Sequence, residues 1–373
     1  MNIKLKESPE QKELFRAIGS KNKTESINAM EAFAAFIGPV VSEVLLQAST
    51  AGMVYKTITF DENDSPSLAL DLFYDEGTEF IQTWSQEMPG SLGTSHVEGF
   101  KEMKIATYNL TSAVSFNKSY ARKARLNVLE KAVQRMVNEM LVKQERNAWV
   151  PILSMAANAN IAGLQTTFRS NATGIFGLHD LNQMITRQKR LNQSYANGTP
   201  SNLQSKGLTN LVVSPEVKEM IRGFCYQPMN TIVGTMTTSG ATAVPLPDTI
   251  RTEIFRSAGA QSLFGIEIAD INELGVNQKY NTLFDTLAGG TAYLQADNSS
   301  GSAVFAATSQ IACGFDLTRD NFIHALIQGE EGNGVVKPDD QFFSRQEKVG
   351  YYLSLDEGRV GVDARATCNI IVT

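Results

Sequence analysis

The stretch that most constrains the fold is KSYARKARLNVLEKAVQRMVNEMLVKQERNAWVPILSM, which covers residues 118–155. Its apolar residues recur at steps of three and four, so they fall on one face of a helix and form a predicted buried stripe: Leu126, Leu129, Val133, Met136 and Met140. Pro151 is predicted to end or kink this helix. A helix from Leu126 to Trp149 would be ~35 Å long, which suggests a structural spine. An ordinary amphipathic core helix fits the same pattern.

The composition is that of a folded protein without an excess of basic residues. The 373 residues are 42% hydrophobic and 19% charged, with a net charge of −6. A chain of this length can bury a large core in two or three domains. A protein that reads DNA sequence would be expected to carry a basic surplus, which this chain lacks.

Cysteines, histidines and the N-terminus give no sign of export, metal binding or membrane insertion. Cys225, Cys313 and Cys368 are odd in number and far apart, which predicts free buried thiols in a reducing cytosol. The three histidines lack metal-ligand spacing. The first residues have no signal-peptide core, and no apolar run approaches the ~18 residues that span a bilayer. We expect no cofactor and no membrane partner.

Residues 1–55 predict a helical N-terminal arm. SPEQ at residues 8–11 has the form of a capping box with proline at the first helical position. A second helix is predicted from Ser26 to Ile37, with a break at Gly38-Pro39. The apolar residues of this arm could pack on the chain's own core or on a neighbouring subunit.

Residues 56–117 predict an extended β-hairpin. β-rich runs flank SQEMPGSLGTSHVEG, a polar segment with turn-forming residues. Because an isolated two-stranded ribbon is marginal in water, the hairpin must lie on its own domain or on another copy. We expect its tip to contact a neighbouring subunit through Glu87, Met88, Pro89, Gly90, Ser91, Leu92 and Gly93.

The second half of the chain predicts a mixed α/β domain and closing strands. A buried strand at residues 211–213 is followed by Ser214-Pro215, a strong helix start. Such a step from strand to helix is typical of an α/β layer. The later segment KYNTLFDTLAGGTAYLQADNSSGS is predicted to be loop-rich.

No catalytic motif is present in the sequence. A GxSxG elbow, a Walker loop, an HExxH pair and a GxGxxG turn are all missing. His179-Asp180 opens a predicted helix, where an aspartate suits the helix dipole. We therefore predict no catalytic site, no metal site and no enzymatic activity.

The order of these parts resembles the major capsid proteins of tailed bacteriophages, which have the Hong Kong 97-type fold. Residues 83–136 look like the extended loop and spine helix of that family. LTNLVVSPEVKEMIRGF looks like the strand–helix step of its axial domain, and RQEKVGYYLSLDEGRVGVDARATCNIIV is similar to its closing strands. The resemblance implies an α+β fold with an N-terminal arm (1–55), an extended β-hairpin loop (56–117), a spine helix of the peripheral domain (118–160), an axial domain (161–317) and closing strands of the peripheral domain (318–373).

The resemblance also implies a function as a virion head protein. Copies of the chain would form the pentamers and hexamers of an icosahedral shell around double-stranded DNA, after assembly in the host cytoplasm. A portal and a decoration protein are further expected partners. Since the arm follows Met1 at once, we expect a separate scaffolding protein rather than a fused one. Lys101 and Lys104 lie on the hairpin, but we predict no covalent crosslinking.

Two other functions remain open at this point. An encapsulin-like compartment would share the fold and enclose cargo protein, and a soluble hydrolase would need an unrecognised site. A local basic patch before the spine helix also has two interpretations: inter-subunit salt bridges to acids such as Asp71, Asp75 or Glu76, or contact with packaged DNA. This patch consists of Lys118, Arg122, Lys123 and Arg125.

Overall fold

The computed structural model describes residues 8–47, 49–69, 102–123, 125–157, 160–161, 164–196, 207–224, 229–230, 243–244, 248–249, 252, 262–295, 301–318, 320–328, 334–339 and 347–373. These residues form a mixed helix and sheet structure, as the sequence predicts. The chain divides into two compact units. Unit 1 comprises Met1–Pro66, Lys104–Ala148 and Ile323–Val360, and unit 2 comprises Ser67–Met103, Trp149–Phe322 and Gly361–Thr373.

The described helices and strands alternate along the chain. The helices are α1 (Pro9–Ile18), α2 (Lys23–Gln47), α3 (Lys118–Arg122), α4 (Leu126–Ala157), α5 (Leu178–Ala196), α6 (Pro215–Gly223) and α7 (Lys279–Ala288), with 3-10 turns at Thr50–Met53 and Ala364–Ala366. The strands are β1 (Lys56–Asp61), β2 (Ser67–Ala69), β3 (Glu102–Lys104), β4 (Thr107–Asn117), β5 (Asn160–Ile161), β6 (Leu164–Gln165), β7 (Thr167–Arg169), β8 (Asn210–Val213), β9 (Met229–Asn230), β10 (Ala243–Val244), β11 (Ser262–Leu263), β12 (Ile266–Asp270), β13 (Ala292–Tyr293), β14 (Ala303–Val304), β15 (Gln310–Phe315), β16 (Phe322–Gln328), β17 (Val336–Asp339), β18 (Lys348–Gly361) and β19 (Thr367–Val372).

Unit 1 is built on a five-stranded sheet organised around β18. The strand order is β1-β16-β18-β17, and β4 also pairs with β18. The β4–β18 ladder is antiparallel and runs from Asn117↔Lys348 to Thr107↔Gly358. Strand β1 pairs in parallel with β16. Both ends of the predicted hairpin, 56–117, therefore belong to this sheet, and in the described part of that range only β2 and β3 pair with each other.

The core of unit 1 joins its helices to one face of this sheet. Side chains of α1, α2, α4, β4 and β18 form one buried cluster that includes Phe15, Phe33, Leu129 and Tyr351. The Tyr351 ring stacks on Phe116 with centroids 6.3 Å apart and lies 5.8 Å from the ring of Phe33. Burying such large apolar side chains supplies most of the favourable free energy of folding.

Two prolines lie inside helices, where the sequence predicts a break at Gly38-Pro39 and an end or a kink at Pro151. Helix α2 continues through Pro39 to Gln47, and α4 continues through Pro151 to Ala157. An interior proline removes one backbone hydrogen bond and costs about 3 kcal/mol. Buried side chains on both sides of each proline offset this cost, such as Ile37 and Val41 in α2, and Trp149 and Ile152 in α4.

Unit 2 is built on a six-stranded mixed sheet with the order β11-β12-β8-β15-β19-β7. Every residue of β15 and β19 is buried, and the two strands pair antiparallel. Residues 361–373 thus belong to unit 2, whereas the resemblance groups them with residues 318–360 as closing strands of the peripheral domain. Cys313 and Cys368 on these two strands are free and buried, as predicted; Cys225 lies outside the described residues.

The predicted step from a buried strand into a helix is present at Ser214. Its hydroxyl accepts the N–H of Val217 at 3.2 Å, which caps α6, and donates to Gln310 Oε1 at 2.7 Å. The segment KYNTLFDTLAGG is not a loop but contains α7. Tyr280, Phe284 and Ala288 are buried at steps of four, and Gly289 ends the helix in the left-handed conformation with φ 56°.

Candidate interaction surfaces

Helix α2 carries apolar side chains on two opposite faces. One face contributes Met30, Phe33 and Ile37 to the core of unit 1. On the other face, Phe36 is 56% exposed and Val40 is 50% exposed. These residues recur with helical spacing and form what we call the α2 stripe: Ala32, Ala35, Phe36, Pro39 and Val40, all exposed. A contiguous exposed apolar surface is typical of an interaction site.

The length and composition of α2 have a second consequence. Its segment Lys23–Leu45 is long and apolar enough to cross a membrane by those two criteria, and 44% of it is buried inside the protein. The sequence predicts no apolar run long enough to span a bilayer, and separately a break at Gly38-Pro39. Helix α2 instead continues through Pro39, and its segment meets both criteria.

Helix α4 buries the side that carries the predicted stripe. Leu129, Val133, Met136 and Met140 are all at most 3% exposed and belong to the core cluster of unit 1. The side chain of Leu126 lies outside the described residues. The α4 residues between these positions are mostly polar, and Lys131, Arg135, Asn138 and Glu139 are exposed, so the helix is amphipathic as it lies on the core.

The basic residues before α4 differ in burial: one is buried and three are exposed. Lys118 is buried, because it follows Asn117 into the first turn of α3 and its N–H donates to the carbonyl of Glu347 at 2.9 Å. Burial and the nearby Arg122 lower the pKa of Lys118, while Glu347 acts in the opposite sense. Arg122 donates from Nε to the carbonyl of Gly19 at 3.0 Å. Arg122, Lys123 and Arg125 are exposed.

The predicted hairpin tip, residues 87–93, lies outside the described residues. The segment that contains it, residues 70–101, connects β2 to β3, which form a two-stranded sheet. Next to this pair, the N–H of Ile105 donates to the carbonyl of Pro66 at 2.9 Å. The two ends of the segment are therefore held together by backbone pairing.

A buried polar cluster in unit 1 surrounds the carboxylate of Glu357. Its Oε2 accepts from Gln144 Nε2 at 3.1 Å and Arg359 Nη2 at 3.3 Å, and lies 3.0 Å from His324 Nε2. Its Oε1 accepts from the hydroxyl of Tyr108 at 2.9 Å. The cluster thus joins α4 to strands β4, β16 and β18. A buried carboxylate with this many donors is well satisfied.

The electrostatic balance of the cluster keeps Glu357 ionised. Burial alone would raise the pKa of its carboxyl, but the hydrogen bond with His324 and the charge of Arg359 outweigh burial, so the pKa lies below its ordinary value. The guanidinium of Arg359 also lies 5.2 Å from the centre of the Tyr55 ring. Arg359 Nε is itself buried and has no hydrogen-bond partner among the described residues.

Sequence reasoning missed this cluster. Glu357 and Arg359 stand two apart on β18, so their side chains leave the same face of the sheet. This spacing within a run of buried residues was an available signal. Gln144 on α4 and His324 on β16 are 213 and 33 residues away in sequence, and only the strand order brings them together.

Asp180, which the sequence places at the start of a helix, has hydrogen-bond partners that hold the local backbone. Asp180 is buried at the start of α5 and accepts from the N–H groups of Gly177 at 2.8 Å and Asn171 at 3.0 Å. Burial raises the pKa of its carboxyl, and these hydrogen bonds oppose the rise. Within the described ranges, no group of three or more His, Cys, Asp or Glu residues could hold a metal ion.

Comparisons with known proteins give structural similarity only. No protein-family model matches the chain, and no curated protein matches its sequence. The chain is similar to the capsid of an empty GTA particle, with a TM-score of 0.47 and 11% identity over 88% of this chain and 90% of that one. It is also similar to the mature capsid of bacteriophage PhiM1, with a TM-score of 0.45 and 8% identity over 86% of both chains. A third similar structure is the head of Helicobacter pylori bacteriophage KHP40, with a TM-score of 0.43 and 10% identity over 84% and 86%. The solved structures that resemble this chain therefore include capsid and head structures, the class of protein that its sequence resembles.

Proposed function

We propose that this chain is a shell-forming structural protein, the major capsid protein of a tailed bacteriophage. Copies of it assemble into the pentamers and hexamers of an icosahedral shell that encloses double-stranded DNA. The observation that carries the proposal is the α2 stripe, an apolar surface that a single chain leaves exposed and that a second copy can cover.

The two apolar faces of α2 cannot both be buried within one chain. Phe33 and Ile37 are held in the core of unit 1. Helix α2 therefore cannot rotate to bury Phe36 and Val40 without exposing the two core residues. Burying a side chain of this size is worth about 1.5–3 kcal/mol. A contact with a neighbouring copy recovers this free energy while the core stays intact. In a closed symmetric shell many such modest contacts act together.

The order of elements along the chain supports the same function. Helices α1 and α2 come first, the β2–β3 pair bounds residues 70–101, and the 32-residue α4 follows. The six-stranded sheet comes next, and the chain returns through β16 and β18 to the first sheet. This is the order that the resemblance to Hong Kong 97-type capsid proteins implies.

In this proposal the two units have different places in the shell. Unit 1, with its five-stranded sheet and the first part of α4, is the peripheral domain, and unit 2 with its six-stranded sheet is the axial domain. The tip at residues 87–93 reaches a neighbouring subunit. The chain has no enzymatic role, and its partners in the virion are other copies, a separate scaffolding protein, a portal and a decoration protein.

Sedimentation velocity on matched variants of α2 tests the proposal. Phe36→Ser removes an exposed aromatic ring, so we expect a folded chain with wild-type circular dichroism that no longer assembles. Phe33→Ser, three residues away, removes a ring that is only 4% exposed, so we expect loss of the fold itself.

Two results would contradict the proposal. Assembly of Phe36→Ser to the wild-type extent would show that the α2 stripe is not a contact between copies. Flotation of the wild-type chain with phosphatidylcholine vesicles, abolished by Phe36→Ser, would assign α2 to a membrane instead. Particles filled with protein cargo rather than DNA would favour the encapsulin-like compartment.

A further inference from the structure

The exposed face of α4 carries a row of positive charges. Lys131, Arg135, Lys143 and Arg146 are all exposed, and Glu139 is the one exposed acidic residue among the described residues of the helix. In the described part of the chain, no hydrogen bond or ion pair joins these four side chains to another residue. We call these four residues the α4 basic face.

This face is a consequence of the same periodicity that forms the core. Leu129, Val133, Met136 and Met140 point into unit 1, which leaves Lys131, Arg135 and Arg146 within ~60° of one another on the other side of the helix. Lys143 lies at the edge of this side, next to the buried stripe. From Lys131 to Arg146 the helix rises ~22 Å. The chain as a whole is acidic, with a net charge of −6, so these cations are segregated rather than distributed evenly.

The composition of the face indicates the kind of partner. The centres of protein–protein interfaces are enriched in aromatic residues and depleted of lysine. Here the one large exposed apolar residue is Val142, and it lies between cations. Interfaces with nucleic acid are more polar and far more positively charged. The α2 stripe is apolar, as the centre of a protein–protein interface is. The α4 basic face is polar and positively charged, as an interface with nucleic acid is.

We infer that the α4 basic face binds the phosphate backbone of double-stranded nucleic acid. The inference rests on the proposed function for the identity of the ligand, because enclosed DNA is the polyanion that a phage shell would present to it. Lysine and arginine that contact phosphate oxygens carry no sequence information. Binding is therefore independent of sequence and weakens as salt rises.

The salt dependence of binding measures how many phosphates are contacted. Each phosphate that a protein cation neutralises adds about −0.9 to the slope of log K against log salt concentration. Four cations predict a slope of about −3.6 per subunit, and removal of two predicts loss of about half of it. This quantity responds to the charges at the contact and not to fold stability.

The experiment compares two double variants with the same change in net charge. Lys131→Gln/Lys143→Gln removes two cations from the α4 basic face. The control, Lys189→Gln/Lys279→Gln, removes two exposed lysines from α5 and α7 in unit 2. Full-length chains of verified fold and equal oligomeric state are titrated with two fluorescein-labelled DNA duplexes of unrelated sequence at several salt concentrations.

We expect the first variant to lose about half of the salt slope and the control to keep it, with equal affinity for both duplexes. A wild-type slope in Lys131→Gln/Lys143→Gln would overturn the inference, as would discrimination between the duplexes. Loss of assembly in that variant alone would assign the face to contacts between copies. If Lys131→Gln/Lys143→Gln loses the slope but the wild-type chain never assembles, the inference about nucleic acid is supported and the proposed shell is refuted.

Discussion

The carboxylate of Glu357 lies 3.0 Å from the imidazole of His324, with both side chains buried in unit 1. Arg359, Gln144 and Tyr108 complete the set of donors around the same carboxylate. Removal of one partner from such a group leaves the others buried without a counterpart, which is more costly than the loss of a surface ion pair.

Replacement of Glu357 by glutamine should therefore destabilise the chain strongly. The amide keeps the size of the side chain but removes the charge that Arg359 faces, so we expect a loss of about 3–5 kcal/mol in the free energy of unfolding. Urea unfolding at pH 7 measures it. Glu139→Gln makes the same chemical change at an exposed position of α4, and its effect should stay within about 0.5 kcal/mol. Equal stability of the two variants would refute a structural role for the cluster.

The pH dependence of stability follows from the direction of the Glu357 pKa. The folded state lowers this pKa below its ordinary value of 4.5. The contribution of Glu357 to stability is thus fully present above pH 4.5 and is lost as the pH falls through the lower, folded-state pKa. In acid titrations followed by circular dichroism, the stability difference between wild type and Glu357→Gln should shrink as the pH falls below this range. A constant difference down to the lowest pH would contradict the assignment.

Leu129 and Val142 offer a matched pair on one helix. Leu129 is fully buried, whereas Val142 is 54% exposed. Leu129→Asp places an unpaired charge in the core, so we expect several kcal/mol of destabilisation and insoluble protein. Val142→Asp should give soluble protein with a wild-type melting temperature. Soluble, folded Leu129→Asp would show that this side of α4 is not core.

Gly314 is predicted to tolerate no side chain. A Cβ at this position in β15 would lie 2.5 Å from Leu208 Cδ1 and 2.6 Å from the carbonyl oxygen of Cys368. Because both neighbours are fixed in the core of unit 2, Gly314→Ala should cost about 1–3 kcal/mol. At Gly223, which ends α6, a Cβ meets nothing within 4 Å, so Gly223→Ala should be neutral or slightly stabilising. Thermal unfolding of both variants provides the comparison.

The segment between β2 and β3 should be dispensable for folding of the subunit. Its ends are joined by the β2–β3 pair, so deletion of residues 89–95 should leave a soluble chain with wild-type circular dichroism. The same deletion should prevent closed shells, because we propose that the tip contacts a neighbouring subunit. An unfolded deletion variant would show that these residues belong to the core of their own subunit.

Sequence periodicity predicted the helices that lie on a core and the strand–helix step at Ser214. It failed where tertiary packing overrides a local signal, as at Pro39, where burial of flanking side chains carries the helix past a proline. Helix α4 also continues through Pro151, where the sequence predicts an end or a kink. It also placed α7 in a loop-rich segment, although Tyr280, Phe284 and Ala288 follow the four-residue spacing of a helix.

The candidate surfaces also include features that local sequence spacing predicts and features that depend on contacts remote in sequence. The buried stripe of α4 could be read from spacing alone, as could the presence of basic residues near it. Lys118 could not be assigned to the interior, since its burial depends on its proximity to residue 347, which is remote in sequence. The Glu357 cluster was beyond reach for the same reason: its members meet only when β4, β16 and β18 are aligned.

Formation of a shell is tested most directly by negative-stain electron microscopy of the expressed full-length chain, with sedimentation velocity on the same sample. We predict rings of five or six subunits, or closed particles of uniform diameter, and their loss in Phe36→Ser while the subunit stays folded. A chain that remains a single monomeric species up to its solubility limit, with Phe36 and Val40 still exposed, would contradict the shell.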